Sequence, residues 1–395
     1  MKMKKIVCSL MISVLCFMTA ISGVSAANTY DTNKLLDAAD KVKAFYKENG
    51  LSDTNYLDDI IAYEALGGDA ENDLDISKFE SKISDKCENL FSGDISKIII
   101  ASQLIKKDPR KLIVNGTEYD LVDTLEKRVQ NDGKIEGNNG SNYDIWVLLA
   151  LESVSSSKVD IVADNLSREN IYPDVNGIYG GFWYYGPYVN LDITGWGIEA
   201  LSIANKEKYK DSITAAINYL ENYKQQDASY NQKSSEYDEA NADTQACAVE
   251  ALSVYNRESL LNGEYDKNNK NPIDVLLSFQ NGKGYFGWKS SSEDYNSYAT
   301  QDAARAIGTI VNGSVIYKAK GIKSPDATLT RVENKPSTNP TQPTDNRQDN
   351  KENKTNKKTT SVKTGDETNV VIFASLSMVS GGLFLVLRKE YERVH

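Results

Sequence analysis

The sequence predicts an all-α body in which about six helical hairpins, twelve helices in all, pack side by side. Three observations carry this. The run Asp192-Ile193-Thr194-Gly195-Trp196-Gly197-Ile198-Glu199-Ala200-Leu201 returns as Asp243-Thr244-Gln245-Ala246-Cys247-Ala248-Val249-Glu250-Ala251-Leu252. Both open on Asp, continue with small or apolar residues and end in Glu-Ala-Leu. The last residue of this pair falls at 66, 151, 201, 252 and 307, with final gaps of 50, 51 and 55, and Leu104 divides the first interval. Self-similarity at such a period is the mark of a repeat architecture. No stretch shows the alternation of a half-buried strand. Two helices per repeat either close into a ring, with small apolar helices inside and longer, more charged ones outside, or stack as an open superhelix.

In chain order, a first helix spans 31–49, with Leu35, Ala38, Ala39, Val42, Phe45 and Tyr46 at helical spacing and Asn49-Gly50 as its stop. The second, 55–66, ends in Glu64-Ala65-Leu66 before two glycines. The third, 77–91, puts Ile83, Cys87, Leu90 and Phe91 on one face, and the fourth, 94–106, stops near Pro109. A fifth, 119–130, ends at Asn131-Asp132-Gly133. The sixth, 142–154, carries Trp146 and Ala150-Leu151, and the seventh covers 159–170. The longest loop follows, 173–190. The eighth helix is the Asp192 element, the ninth 208–224, and the tenth the Asp243 element. Pro272 opens the eleventh, 272–279, and the twelfth, 297–311, holds Ala306-Ile307. Asp192 and Asp243 are expected as N-caps, accepting free backbone N–H groups at the helix start.

The loops repeat too. Gln280-Asn281-Gly282-Lys283-Gly284-Tyr285-Phe286-Gly287-Trp288 is the clearest copy, echoed by Gln130-Asn131-Asp132-Gly133-Lys134 and Ile178-Tyr179-Gly180-Gly181-Phe182-Trp183. Glycines permit the turn, an aromatic folds back on the preceding helix end, and Gln280 can bond the free carbonyls there. On these residues the chain resembles the prenyltransferase and squalene-oxidase repeat superfamily (terpenoid cyclase and protein prenyltransferase-like), the α/α-toroid group. The Gln280…Gly284…Gly287-Trp288 run is similar to that group's Gln-Trp motif. The Asp243-Thr244…Ala251-Leu252 helix is similar to inner helices of the cobalamin carriers. The resemblance covers about residues 31–317 and implies an α/α toroid; one fold hosts many functions.

Four segments follow: a leader over 1–26, a toroid over 27–320, a linker over 321–360 and a terminal segment over 361–395. The leader has Lys2, Lys4 and Lys5, then an apolar stretch, then Val24-Ser25-Ala26, and reads as a signal peptide. The linker is polar and cannot bury enough surface to fold. Residues 370–387 are uncharged and apolar, long enough to span a bilayer, and Arg388-Lys389 follows. The terminal segment resembles the cell-wall sorting signal of Gram-positive surface proteins. Lys363, Thr364 and Gly365 match its last three positions, whereas Ser361 and Val362 stand where it has Leu-Pro. The resemblance implies sortase cleavage between Thr364 and Gly365 and a body held at the cell wall or plasma membrane; a plain membrane anchor gives the same placement.

Composition narrows the chemistry. The total charge is −11; segments 1–26, 331–360 and 361–395 carry +3, +3 and 0, which leaves −17 on 27–330. Such a body does not suit nucleic acid. The one histidine, His395, is the last residue, which removes histidine triads and histidine-ligated metal from the toroid. Cys87 and Cys247 read as two small buried hydrophobes. The cyclase motif Asp-x-Asp-Asp is matched neither by Asp73-Leu74-Asp75-Ile76 nor around Asp58-Asp59, and Cys247 lacks the partner Gln of a thioester. No cofactor and no metal are expected. The aromatic density of the long loop points to a binding platform of Tyr179, Trp183, Tyr184, Tyr185 and Tyr188, with Trp196 and Trp288 nearby. The expectation is therefore a non-enzymatic, surface-anchored protein that binds an extracellular ligand or partner: a glycan, a small hydrophobic molecule or a corrinoid. Against it stand a divergent cyclase or polysaccharide-processing enzyme using Asp/Glu pairs, and a cobalamin carrier. Two carboxylates facing one deep cavity favour the enzyme; capped helices around a filled centre count against it.

Overall fold

The computed structural model describes residues 30–83, 89–137, 140–184, 188–232 and 239–332. Fourteen helices and one short hairpin lie among them. The six hairpins each pair an outer helix with the inner helix that follows it. They are α1 (Thr32–Asn49) with α2 (Tyr56–Ala65), α4 (Ser77–Lys82) with α5 (Ser92–Leu104), and α6 (Leu121–Arg128) with α7 (Ser141–Ser153). Then come α8 (Val159–Leu166) with α9 (Leu191–Asn205), α10 (Lys210–Tyr223) with α11 (Ala242–Leu261), and α12 (Pro272–Leu277) with α13 (Ser297–Asn312). A single-turn α3 (Ala70–Asp73) and a terminal α14 (Val315–Ala319) complete the set.

The inner helices pack in the order α2, α5, α7, α9, α11, α13 and back to α2, so the repeat closes into a ring and the open superhelix is excluded. Polar bonds hold the seam. Tyr30 Oη donates to Asp274 at 2.8 Å and Gln301 Nε2 to Asp59 at 2.7 Å. Gln280 Nε2 donates to the Ala38 carbonyl of α1 at 3.1 Å, across the seam rather than to the preceding helix end. Small residues let inner helices approach closely. A Cβ on Gly195 would stand 2.5 Å from the Cys247 carbonyl oxygen, and one on Gly308 2.4 Å from the Ala65 carbonyl carbon. Leu148, Leu201, Leu252 and Ile307 are fully buried between the layers.

The loop repeat has a mechanical role. Gly180 (φ +106°) and Gly284 (φ +99°) sit where a side chain would meet the carbonyls of Ala215 and Lys41, in the next outer helix round the ring. The aromatic two residues further on is buried, and its N–H is held by the following inner helix: Phe182 to Thr194 Oγ1 at 2.9 Å, Tyr230 to Gln245 Oε1 at 2.9 Å, Phe286 to Thr300 Oγ1 at 3.0 Å. These acceptors all lie four residues after a helix cap.

Two expectations need correction. The outer helices are mostly the shorter ones, because α6, α8 and α12 run only six to eight residues. A β-hairpin is present, Leu112–Val114 against Thr117–Tyr119. Its strands are too short to show alternation; the signal was Asn115-Gly116, both at positive φ, the residues a two-residue hairpin turn requires. Asn256 (φ −158°, ψ 90°) kinks α11.

Helix α14 crosses one end of the ring. Lys318 Nζ donates to the Gly68 carbonyl at 2.8 Å and pairs with Glu64, and Lys320 pairs with Glu152 at 2.7 Å. These contacts close the end where the inner helices finish. Beyond it, Leu329 N donates to the Val311 carbonyl at 2.8 Å and Arg331 pairs with Asp37 and Asp40, so the chain stays on the body to residue 332. Among the described residues no helix is long and apolar enough to cross a membrane. The expected leader, the span 370–387, Cys87 and the sorting residues Thr364 and Gly365 lie outside the described residues.

Candidate functional site

The open end of the ring is where the inner helices begin. Three of the six are capped by an asparagine side chain. Asn190 Oδ1 accepts from Ile193 N, Asn241 Oδ1 from Thr244 N and Asn296 Oδ1 from Ala299 N, each at 2.9 Å. The expected caps, Asp192 and Asp243, therefore sit one step inside the helix, at its second residue. Asparagine two places earlier satisfies the free N–H groups, which leaves both carboxylates for other work.

That work centres on a cavity of about 380 Å³ at the mouth of the ring. Its acids come from four different helices: Asp58 of α2, Asp94 of α5, Asp192 of α9 and Asp302 of α13. Lys97, Asn142 and Gln301 add polar groups, and Tyr143, Trp146, Tyr184, Trp196 and Tyr298 supply rings. Lys97 pairs with Asp58 at 2.8 Å and lies 4.8 Å over the Trp146 ring. Trp146 and Trp196 meet edge to face with centroids 5.7 Å apart.

Beneath this layer lies a buried charge network. Arg305 occupies, in the sixth repeat, the place of Glu in Glu-Ala-Leu. Its guanidinium grips Glu250 through Nε at 2.9 Å and Nη2 at 2.8 Å, and stands 5.4 Å from the rings of both Trp146 and Trp196. Thr309 Oγ1 donates to Glu250 at 2.9 Å, and Ser314 Oγ donates to Glu199 at 3.0 Å. Arg305 also reaches Asp302, Nη1 to Oδ1 at 3.8 Å. One cation thus serves Glu199, Glu250 and Asp302, with Asp192 and Asp243 close by.

The acids respond by holding protons. Burial pushes Asp302 up to about 7; Arg305 opposes this, and the charges of Glu250, Asp58 and Asp192 add to it. Burial also raises Asp243, to about 9, reinforced by Asp302 and Asp192. Its Oδ1 is buried without a hydrogen-bond partner. Asp192 is raised by burial and drawn back by a hydrogen bond from Thr244. Glu199 rises to about 8, from burial and then from Glu250. Like charges close together in a poorly solvated wall cannot all ionise. A carboxylic acid that still carries its proton near pH 7 is equipped as a general acid.

The aromatic platform expected from the sequence is divided by the fold. Tyr184 and Trp196 face the cavity. Trp183 is half-buried against Tyr172, with centroids 5.8 Å apart. Tyr179 and Tyr188 are exposed and do not line the cavity. Trp288 lies before α13, its carbonyl accepting from Ala242 N at 2.9 Å. Tyr185 lies outside the described residues. Sequence reasoning passed over Asp58, Asp94, Trp146, Tyr298, Asp302 and Arg305. The available signal was the alignment of Arg305-Ala306-Ile307 with Glu-Ala-Leu, which brings Tyr298 to the place of Asp192 and Asp243, and Asp302 to that of Trp196 and Cys247, one turn into the helix.

Neither a family model nor a curated relative matches the chain. Among solved structures it is similar to the unsaturated glucuronyl hydrolase of Bacillus sp. GL1, responsible for the degradation of glycosaminoglycan. The identity is 14% and the TM-score 0.46, over 72% of this chain and 97% of that one. At this distance the likeness says nothing about the site, which has to be read from its own residues. The expectation of a non-enzymatic binder is corrected. The ring mouth meets the condition set for an enzyme, since four carboxylates face a single cavity.

Proposed function

We propose that the protein is an enzyme that processes polysaccharide outside the cell, by general acid–base hydrolysis at the open end of its toroid. The observation that supports this is Asp302: a carboxyl titrating near 7 in the wall of a cavity it shares with three other acids and five aromatic rings. Ring faces and scattered polar groups suit the apolar faces and hydroxyls of sugars. Asp302 donates its proton to the leaving glycosidic oxygen. Asp58, oriented by Lys97, takes a proton from the attacking water, whose oxygen bonds to the sugar carbon as the C–O bond breaks. Glu250, Asp58 and Asp192 keep Asp302 in a field of negative charge, which Arg305 beneath opposes.

The charged leader, apolar segment 370–387 and residues Thr364 and Gly365 support export, with attachment to the cell wall or membrane through a sortase. An anchored hydrolase would act on glycans at the cell surface. The test is release of reducing ends from soluble polysaccharides by the full chain. Asp302→Asn is expected to lower the rate 10²–10⁴-fold, the usual worth of a general acid. Unchanged turnover in Asp302→Asn removes that residue's role, and no turnover of any glycan removes the reading.

A further inference from the structure

A second cavity lies at the seam of the ring, where the last repeat meets the first. It measures about 700 Å³ and its aromatic lining is Phe45, Tyr285 and Tyr295. The three rings form one cluster, with centroids 5.4 Å (Phe45–Tyr285), 5.3 Å (Phe45–Tyr295) and 5.6 Å (Tyr285–Tyr295) apart. Tyr295 is 43% exposed. Glu48, Asn49, Ser52 and Lys283 add hydrogen-bonding groups around it. A third cavity of about 470 Å³ continues it, sharing Gly282, Lys283 and Tyr285.

This hollow adjoins the ring mouth. Tyr295 lines the seam cavity, and Tyr298, three residues on and 60% exposed, lines the central one. Between them Asn296 caps α13, and Asn55 reaches Ser297 at 3.4 Å. On the other side Phe45 packs on Tyr46, whose hydroxyl donates to Asp59 at 3.1 Å, beside Asp58 of the central cavity. Rings thus run from the axis outward: exposed Tyr298 and Tyr295, then half-buried Tyr285.

Charge limits what can lie along them. Among the described residues Lys97 is the one cation lining the central cavity, against Asp58, Asp94, Asp192 and Asp302, and it is already paired with Asp58. The surrounding body carries −17 over 27–330. A polymer bearing a carboxylate or sulfate on each repeat would meet repulsion at the central cavity. We propose that the central cavity opens onto a substrate track over Tyr298, Tyr295 and Tyr285, and that its occupant is an uncharged polysaccharide chain. The track accounts for a polymer where the central cavity alone would take a small saccharide. This rests on the hydrolase reading and assigns its substrate class.

The experiment uses the full chain with hydroxyethylcellulose, galactomannan and laminarin as neutral probes and chondroitin sulfate as the polyanion. Binding is read by affinity electrophoresis and turnover by reducing ends, the latter also on neutral oligosaccharides of increasing length. At least one neutral polymer is expected to retard the protein while chondroitin sulfate does not. Tyr295→Ala and Tyr285→Ala are expected to weaken that binding about tenfold each, the order of one stacking contact. They should raise KM for long oligosaccharides and leave kcat on the shortest unchanged. Tyr285→Phe and Tyr295→Phe keep the rings and should bind like the parent, which separates stacking from misfolding. Neutral binding that survives both Ala variants, equal or tighter binding of chondroitin sulfate, or no binding to any neutral probe overturns the track. Turnover with no dependence on chain length or on these tyrosines overturns the track and leaves the hydrolase. Tyrosine-dependent binding without turnover overturns the hydrolase and leaves the track.

Discussion

The buried acids make the fold sensitive to pH in an unusual direction. Asp302 titrates near 7 in the folded chain and near 3.8 when unfolded. Its folded value is raised, so between those limits the native state holds a proton that the unfolded state has released. The stabilisation is full below about pH 4 and is lost as pH rises to about 7. Each pH unit in that window costs about 1.4 kcal/mol, so the ceiling is about 4 kcal/mol for this group. From pH 5 to pH 7 the loss is about 2 kcal/mol, which for a domain of about 300 residues lowers Tm by roughly 3–5 °C. Asp243, near 9, and Glu199, near 8, add to the decline over the same window and carry it to higher pH. No histidine of the toroid obscures it, since the chain's one histidine is His395. Asp302→Asn cannot ionise, so it should make the slope between pH 5 and 7 shallower than the parent's and melt above the parent at pH 8. Circular dichroism melts of both proteins from pH 5 to pH 9 check this. A parent Tm that is flat or rises from pH 5 to 8, or an Asn variant with the parent's slope, would refute the reasoning.

Two further outcomes follow from the ring interior. Arg305→Met strands Glu250, whose side chain is 1% exposed, without its cation, and should cost about 3–5 kcal/mol. Replacing both, Arg305→Met with Glu250→Leu, should recover much of that in thermal melts; if the double variant is no better than the single, the pair is not what sets the cost. Gly308→Ala places a methyl 2.4 Å from the Ala65 backbone, where neither helix can yield cheaply. Overpacking of about 1–3 kcal/mol should outweigh the helix-propensity gain of about 1 kcal/mol. A variant that melts at or above the parent would contradict the close approach at the seam.

The ring was legible because repeats write their period into the chain. Six similar helices must each bury the same face, so Glu-Ala-Leu and the Gly-x-aromatic turns recur at near-constant spacing. The site was less legible for the same reason. Asp at a helix start looks like a cap, and only the structure shows Asn190 and Asn241 already in that role. The cavity takes one to three side chains from each of five helices far apart in sequence, so no local cluster announces it. The long aromatic loop did form a local cluster, yet the fold sends Tyr184 inward and Tyr179 and Tyr188 outward. Asp302 and Arg305 gain their chemistry from Glu250, Trp146 and Trp196, which meet them only once the ring closes.

The most direct test of the hydrolase account is the rate at which the full chain releases reducing ends from neutral polysaccharides, compared with Asp302→Asn and Asp58→Asn. The account predicts turnover by the parent, a loss of at least about 100-fold in each variant, and an acid-limb or alkaline-limb shift in the pH profile of what remains. Turnover that survives both substitutions would contradict it, as would a parent inactive on every glycan offered.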